Sequence, residues 1–148
     1  MDVKAILRAK GNKVVTVEPH VPVATVVHLL KDEGIGAVVV SDNGKRVLGI
    51  VSERDVVMGL AQHGDNLLNR RVSEILTREV ITCQPSDSVA QLMTDMTHQR
   101  VRHLPVVESD DLCGMISIGD IVKYRLAEAE METDVLRDAY IARSSLPG

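Results

Sequence analysis

The chain has no tryptophan, no phenylalanine and only two tyrosines among its 148 residues. Proteins that bind single-stranded nucleic acid stack the bases on aromatic side chains, so this composition argues against such a role. Positive charge is not in excess either, because 17 lysines and arginines face 21 aspartates and glutamates, giving a formal net charge of -4. Neutralising a duplex phosphate backbone requires a basic excess, so we expect no nucleic-acid partner.

Cysteines and long apolar runs are also scarce. Cys83 and Cys113 are the only cysteines, and neither stands at a spacing typical of a metal site. Both are predicted to be buried, small apolar residues in a reducing compartment. The longest uninterrupted apolar run, 37–40, is too short to span a bilayer, and residues 1–8 carry charges where a signal peptide is apolar. We therefore expect a cytoplasmic protein with no membrane association.

Motifs that carry catalysis are missing from the sequence. There is no Gly-Lys-Ser/Thr phosphate loop, no nucleophile elbow and no paired His-Glu helix. Gly34 and Gly36 precede an apolar run instead of following one, and the third glycine of a dinucleotide fingerprint is lacking. The sequence thus predicts no enzyme activity, no catalytic residues and no catalytic cofactor.

What the chain does contain is an internal repeat. Three pairs of segments match one another: 3–7 with 72–76, 14–19 with 80–85, and 49–57 with 114–122. The last pair shares the pattern Gly-x-x-Ser-x-x-Asp, which places Asp55 three residues after Ser52 and Asp120 three residues after Ser117. Two copies of one supersecondary unit therefore account for the chain up to about residue 125.

The spacing of apolar residues gives the element types of each copy. Short β-branched runs predict strands at 14–17, 37–40 and 47–51, with a hairpin turn at 41–45. A wide apolar face predicts a helix that begins after Pro22 and ends at Gly34. Ser52 is predicted to cap a second helix that runs to about Gln62. The second copy repeats the order β-α-β-β-α, so the fold class is mixed α/β, or α+β.

The chain divides along its length into three parts. These are repeat one with its lead-in (1–65), the connector with repeat two (66–125), and a C-terminal helical extension with a tail (126–148). Five apolar residues of the extension recur at helical spacing: Met131, Val135, Leu136, Ala139 and Tyr140. An apolar stripe on a projecting helix requires a covering surface, and a second subunit is the expected partner.

A pair of β-α-β-β-α units that each close on Gly-x-x-Ser-x-x-Asp resembles the cystathionine-β-synthase (CBS) domain family, whose paired copies form a Bateman module. The resemblance covers about residues 3–125 and includes a second strand at 102–107. It implies a stand-alone module of prokaryotic type whose copies pack with pseudo-twofold symmetry and dimerise into a four-domain disc. It also implies an adenosine-containing ligand, namely AMP, ADP or ATP, and in some members NAD or S-adenosylmethionine.

The same resemblance assigns residues of both copies to two shared clefts. One is expected to combine Ser52, Arg54 and Asp55 with Thr82, Val101, Arg102 and His103, and the other Ser117, Gly119 and Asp120 with Thr16, Ile35, Gly36 and Ala37. The chemistry suits a nucleotide. An ionised aspartate offers two acceptor oxygens for two ribose hydroxyls, and a serine at a helix start leaves amides facing an anion. The arginines and His103 are expected to serve phosphates.

Each of these residues also has a purely structural interpretation. The Ser-x-x-Asp pairs are ordinary capping arrangements, Thr16 and Thr82 suit strands, and the arginines suit a solvated surface. Two hypotheses therefore follow from the sequence. The first is a homodimeric sensor of adenine nucleotides that signals to a separate effector protein, and the alternative is a ligand-independent oligomerising adaptor of the same fold.

Overall fold

The computed structural model describes residues 1–144. Its helices are α1 (Val3–Lys10), α2 (Val23–Glu33), α3 (Glu53–His63), α4 (Val89–Gln99) and α5 (Ile118–Ser144), and its strands are β1 (Thr16–Val17), β2 (Ala37–Val40), β3 (Gly49–Ser52), β4 (His103–Glu108) and β5 (Asp111–Ser117). Two short 3-10 helices, Gly64–Asn69 and Val72–Glu74, occupy the connector. The mixed class of helices and small sheets predicted from the sequence is confirmed.

The first copy forms a three-stranded sheet. Strand β1 pairs in parallel with β2, and β2 pairs antiparallel with β3, with Ala37 opposite Ser52. All four residues of β2 are buried, as its continuous apolar run predicts for a strand covered on both faces. Helix α2 ends where predicted, at Gly34, which adopts the left-handed conformation with φ of 62°. Arg100 takes the same conformation at the equivalent end of α4, with φ of 56°.

In the second copy the first strand is reduced to a single bridge. The expected strand at 80–83 is wrong, since only Cys83 pairs with Val106. The reason is a proline: in copy one the Val39 N–H donates to Val15 O at 3.1 Å, whereas the equivalent position in copy two is Pro105, which has no N–H to donate. One ladder bond is therefore lost.

Strands β4 and β5 form an antiparallel hairpin in which His103 lies opposite Ser117. Gly114 and Ile116 of β5 are buried in the core, while Cys113 and Met115 alternate onto the other face and are half-buried. The expectation of a buried Cys113 is thus wrong, because the pleat of β5 leaves this residue only half-buried, although it packs against the second core. Cys83 is buried as predicted, and burial raises the pKa of its thiol to about 12.

The two lead-in segments cross between the copies. Val3 and Ile6 of α1 are buried in the core of the second copy, together with Leu92, Leu104 and Ile116 among others. Conversely, the second lead-in packs on the core of the first copy: Val72 is buried with Val26, Val38 and Val51, and Ile75 and Leu76 pack against that cluster. Each core is therefore completed by the lead-in that precedes the other copy, and the two copies are interlocked along the chain.

Helix α5 continues well beyond the second core. Ile121 is its one buried residue, and from 126 to 144 its side chains are exposed except for that of Glu128. The predicted apolar stripe lies within this exposed part, with Leu136 71% and Tyr140 74% exposed. Among residues 1–144, no helix is long and apolar enough to cross a membrane.

Candidate functional site

The two Ser-x-x-Asp motifs form equivalent corners where a strand passes into a helix. At the first corner Asp55 Oδ2 accepts from the Ser52 N–H at 2.8 Å and from its hydroxyl at 3.1 Å. At the second, Asp120 Oδ2 accepts from the Ser117 N–H at 2.9 Å, and the Asp120 N–H donates to Ser117 Oγ at 3.1 Å. Both pairs therefore act as helix caps. The capping bonds use Oδ2 alone, so each Oδ1 is left to other partners.

Each carboxylate has a further contact with the lead-in that crosses from the other side. Thr77 Oγ1 donates to Asp55 Oδ1 at 3.0 Å, whereas the Lys10 ammonium donates to Asp120 Oδ2 at 2.7 Å. The backbone carbonyls of Ile50 and Met115, at equivalent positions of the two copies, differ in their donors in the same way. The Thr77 N–H donates to Ile50 O at 2.9 Å, and the ammonium of Lys10 takes that place at Met115 O, at 2.8 Å. A hydroxyl and an amide at one corner are thus replaced by one cation at the other.

The lysine changes the electrostatics of the second corner. Burial acts to raise the pKa of the Asp120 carboxyl, but the hydrogen bonds from Lys10 and Ser117 and the Lys10 charge hold it below its ordinary value. Both side chains are partly shielded from solvent, with 33% of Lys10 and 22% of Asp120 exposed. Asp120 is therefore a neutralised carboxylate, whereas Asp55 has a neutral donor as its cross-copy partner.

His103 lies between the two corners. A Cβ added to Gly36 would come within 2.9 Å of both Cε1 and Nε2 of the His103 ring and 3.5 Å from Glu53 Oε1. The missing side chain of Gly36 therefore leaves the space that the imidazole fills. Burial lowers the pKa of His103, and the charges of Lys10 and Arg102 act in the same direction, against those of Glu53 and Asp120. His103, predicted for the Asp55 cleft, thus contacts a residue predicted for the other one.

The backbone at the two predicted strand starts is fixed in the same way in both copies. The Glu53 N–H donates to Gly36 O at 3.0 Å, and the equivalent Ile118 N–H donates to Arg102 O at 2.9 Å. Each strand start is thereby tied to the helix start of its own copy. The two strand starts meet where His103 packs on Gly36.

The other predicted site residues differ in accessibility. Arg54, Thr82, Arg102 and Gly119 are exposed, Thr16, Ile35 and Val101 are half-buried, and Ala37 is buried. Ile35 and Val101 pack against the two hydrophobic cores. Because Ala37 is buried, only its backbone, which lies opposite Ser52 in the sheet, is left to contact a ligand. The full grouping of these residues around two ligands stays a prediction.

The architecture agrees with comparisons to known proteins. A CBS domain model matches residues 3–62 and 72–127. The chain belongs to the CBS domain family. Its fold matches the crystal structure of a CBS-domain containing protein from Agrobacterium tumefaciens with 46% sequence identity and a TM-score of 0.82, covering 84% of this chain and 99% of the other.

Two further comparisons extend this result. A 33.4 kDa protein from Thermofilum pendens is 40% identical over 99 residues, which are 67% of this chain, and the chain spans only 32% of that relative's length. The CBS domain pair of protein MJ0100, in complex with methylthioadenosine and S-adenosyl-L-methionine, has the same fold, with a TM-score of 0.77, 22% identity, and coverage of 86% and 98% of the two chains.

Two concave surfaces of this CBS pair are formed by residues other than those predicted for the clefts, although Glu53 of the first corner lines one of them. A cavity of 60 Å³ lies between the start of α4 and α5, and an open groove of 340 Å³ lies between α2 and α3. Neither is lined by a predicted ligand-binding residue. The groove is mainly apolar and includes Val27, Val56 and Val57. Within residues 1–144, no group of three or more histidine, cysteine or acidic side chains is suited to hold a metal.

Three residues at the corners of this CBS pair were not found from the sequence, namely Lys10, Glu53 and Thr77. Lys10 and Thr77 belong to the lead-ins, whose repetition was visible, but nothing in the sequence indicated on which copy each lead-in packs. Glu53 stands between Ser52 and Arg54 in a solvent-exposed first turn, where an acidic residue is expected merely for its favourable interaction with the helix dipole.

Proposed function

We propose that this CBS pair is a regulatory module that senses adenosine-containing nucleotides. The observation that carries the proposal is the pair of equivalent corners, in which a partly exposed aspartate follows a strand at the start of a helix. Asp55 Oδ1 accepts one bond, from Thr77, and each carboxylate oxygen has two lone pairs. Capacity for ribose hydroxyls therefore persists at both corners beside the capping bonds.

The corners and one protein of the same fold support the proposed ligand class. Protein MJ0100, which shares the fold, is a CBS pair in complex with two adenosyl compounds. For this chain we propose AMP, ADP or ATP as ligands, with NAD and S-adenosylmethionine as further candidates. Asp55 and Asp120 would each hold a ribose, Ser52 and Ser117 would present helix-start amides, and Arg102 with Arg54 would contact phosphates.

The remaining predicted residues would form the walls of the two clefts. Thr82, Val101 and His103 would line the Asp55 cleft, and Thr16, Ile35, Gly36, Ala37 and Gly119 the Asp120 cleft. No catalytic role is proposed for any of them. A module of this kind alters the activity of another protein, so we propose a homodimer that acts on a separate effector in the cytoplasm.

Thermal unfolding in the presence of nucleotides tests the proposal. A ligand that binds only the folded state raises the Tm, and at 100 times Kd it contributes about 2.7 kcal/mol. We expect AMP, ATP, NAD or S-adenosylmethionine to raise the Tm of the wild type. Asp55→Asn and Asp120→Asn should each reduce affinity at one cleft by roughly 1 to 3 kcal/mol, the range for hydrogen bonds to a charged group.

The matched control is Asp42→Asn, which changes an exposed aspartate in the first hairpin turn. It should leave the nucleotide response intact. If none of the four compounds shifts the Tm of the wild type at millimolar concentration, the sensor function is refuted. If all the aspartate variants bind as the wild type does, the ribose assignment is wrong.

The second candidate, an oligomerising adaptor without a ligand, is favoured by two observations. Both aspartates already have capping partners, and the stripe on α5 is exposed along its length. Sedimentation with and without nucleotide separates the candidates. An adaptor assembles without any nucleotide response, whereas a sensor changes its stability or assembly when nucleotide is added.

A further inference from the structure

We infer that Lys10 is a specificity-determining residue that makes the Asp120 cleft favour an anionic adenosine nucleotide over the uncharged nucleoside. The inference deepens the proposed function and rests on it. It concerns a residue outside both repeat motifs, at the end of α1, which reaches the second copy because the lead-ins cross.

The first step is the charge of the two corners. At Asp55 the cross-copy donor is the Thr77 hydroxyl, so the corner itself keeps the full carboxylate charge. At Asp120 the donor is the Lys10 ammonium at 2.7 Å, so carboxylate and cation cancel. An unneutralised carboxylate repels an approaching phosphate. A neighbouring cation that cancels the carboxylate charge removes this repulsion.

The second step is the donor capacity of the lysine. An ammonium carries three N–H donors, and the two bonds of Lys10, to Asp120 Oδ2 and Met115 O, use two of them. One donor is left for a ligand oxygen. Because a third of the side chain is exposed, that donor can meet a phosphate without breaking the pair with Asp120.

The third step places Lys10 among the residues of the predicted cleft. Its charge, like that of Asp120, acts on His103, and the His103 ring packs on Gly36. Lys10, Asp120 and Gly36 therefore share one neighbourhood. The Asp55 cleft has predicted phosphate contacts of its own, because Arg54 stands where copy two has Gly119 and Arg102 is assigned to the same cleft. Arg54 and Lys10 are both exposed, but Lys10 is held in position by two hydrogen bonds.

Calorimetric titration of adenosine and AMP into the full chain tests this inference. The titrations use Asp55→Asn as the background, so that the remaining binding reports on the Asp120 cleft. Adding Lys10→Met should lower the AMP-to-adenosine affinity ratio about tenfold, the effect of one charge-assisted hydrogen bond. Lys10→Arg keeps the charge and should keep the ratio within about threefold of the background. Lys4→Met removes an exposed lysine of the same helix and should change nothing.

The outcomes separate this inference from the proposed function. If the wild type binds neither compound and none of AMP, ATP, NAD and S-adenosylmethionine raises its Tm, the proposed function fails and takes the role of Lys10 with it. If the Tm responds to another of these compounds but neither AMP nor adenosine binds, the role of Lys10 alone is overturned. If the wild type binds but the Asp55→Asn chain does not, or if Lys10→Met leaves the ratio unchanged, the role of Lys10 alone is overturned. A lowered ratio in Lys10→Met together with a retained ratio in Lys10→Arg supports it, and the Arg variant also shows that the effect is not a loss of folding.

Discussion

Leu7 packs directly onto Gly114, so closely that a Cβ on the glycine would lie 2.8 Å from Leu7 Cδ2. The same relation recurs in the other direction, where Leu76 of the second lead-in lies on Gly49 of β3. In each copy, a leucine from the crossing lead-in therefore packs on the glycine that opens the Gly-x-x-Ser-x-x-Asp motif. This contact fixes where Lys10 and Thr77 emerge, and it links the packing of the lead-ins to the chemistry of the corners.

Gly114→Ala is expected to destabilise the fold by roughly 1 to 3 kcal/mol, the usual cost of overpacking a filled core. The added methyl would force Leu7 out of its place. Urea unfolding measures the change. The double variant Gly114→Ala and Leu7→Ala should lose less stability than the sum of the two single variants, because the two residues share one contact.

Gly119→Ala is the matched control for this prediction. Gly119 lies in the first turn of α5 and the nearest atom to an added Cβ is Ser117 Oγ at 3.6 Å, so the alanine fits. It should stabilise the chain by about 0.4 to 1 kcal/mol. Equal and small effects at both glycines would contradict the account of the Leu7 contact.

Much of this architecture follows from the sequence because the repeat and the apolar periods are local signals. The capping role of Ser52, the end of α2 at Gly34 and the helix through the extension are each encoded within a few residues. The crossing of the lead-ins is not, because residues 3–7 and 72–76 have the same pattern and either core would accept either segment. Lys10 could not be assigned to Asp120 for that reason. Similarly, the lost strand at 80–83 depends on one missing N–H at Pro105, 22 residues further on.

The pair of Lys10 and Asp120 should make part of the stability dependent on acid. The folded pKa of Asp120 is depressed, so its contribution is complete above the ordinary carboxyl pKa and is lost as the pH falls through the folded value. Lys10→Met should therefore cost about 1 kcal/mol at neutral pH, and the difference from the wild type should shrink as the pH falls below the ordinary carboxyl pKa of 3.8. Urea unfolding across this range measures it.

Lys13→Met provides the comparison for the acid prediction. Lys13 is 80% exposed and lies 3.4 Å from Glu33, so its removal should change the stability little at any pH. A Lys10→Met chain whose difference from the wild type does not shrink as Asp120 is protonated in acid would show that the lysine acts by packing of its stem and not by charge.

His103 should add a second pH dependence, closer to neutrality. Burial lowers its pKa, assisted by Lys10 and Arg102 and opposed by Glu53 and Asp120. The unfolded chain therefore binds a proton first as the pH falls below about 6.5, and stability decreases by at most about 1.4 kcal/mol per pH unit until the folded pKa is reached. Unfolding measured between about pH 5 and 8 should lose this slope in His103→Gln.

The exposed His28 of α2 gives the control, since His28→Gln should keep the slope between these pH values. Nuclear magnetic resonance titration of the imidazole supplies an independent measurement. A His103 ring that titrates above the unfolded value would reverse the sign of the effect and contradict the assignment of burial as its dominant cause.

The extension of α5 should be needed for assembly and not for folding. Ile121 is buried and Tyr124 packs against the second core, but no residue from 126 to 144 belongs to either described core, so a chain that ends after Arg125 should unfold in urea with nearly the free energy of the full-length monomer. Within the stripe, Met131, Leu136 and Tyr140 are 70%, 71% and 74% exposed in a single chain. A second subunit that covers the stripe would lose its main apolar contact on truncation.

Sedimentation at micromolar concentration should therefore show a dimer for the full chain and a monomer for the truncated one. Leu136→Glu combined with Tyr140→Glu should have the same effect while leaving the helix intact, because a charge at each position cannot be buried without a partner. Glu130→Gln changes the acidic side of the same helix and should leave the dimer unchanged.

A truncated chain that still dimerises would place the contact elsewhere, and the open apolar groove between α2 and α3 would then be the surface to test, by Val57→Glu. A monomeric full-length chain would remove the premise altogether, since the stripe would then have no second copy to cover it.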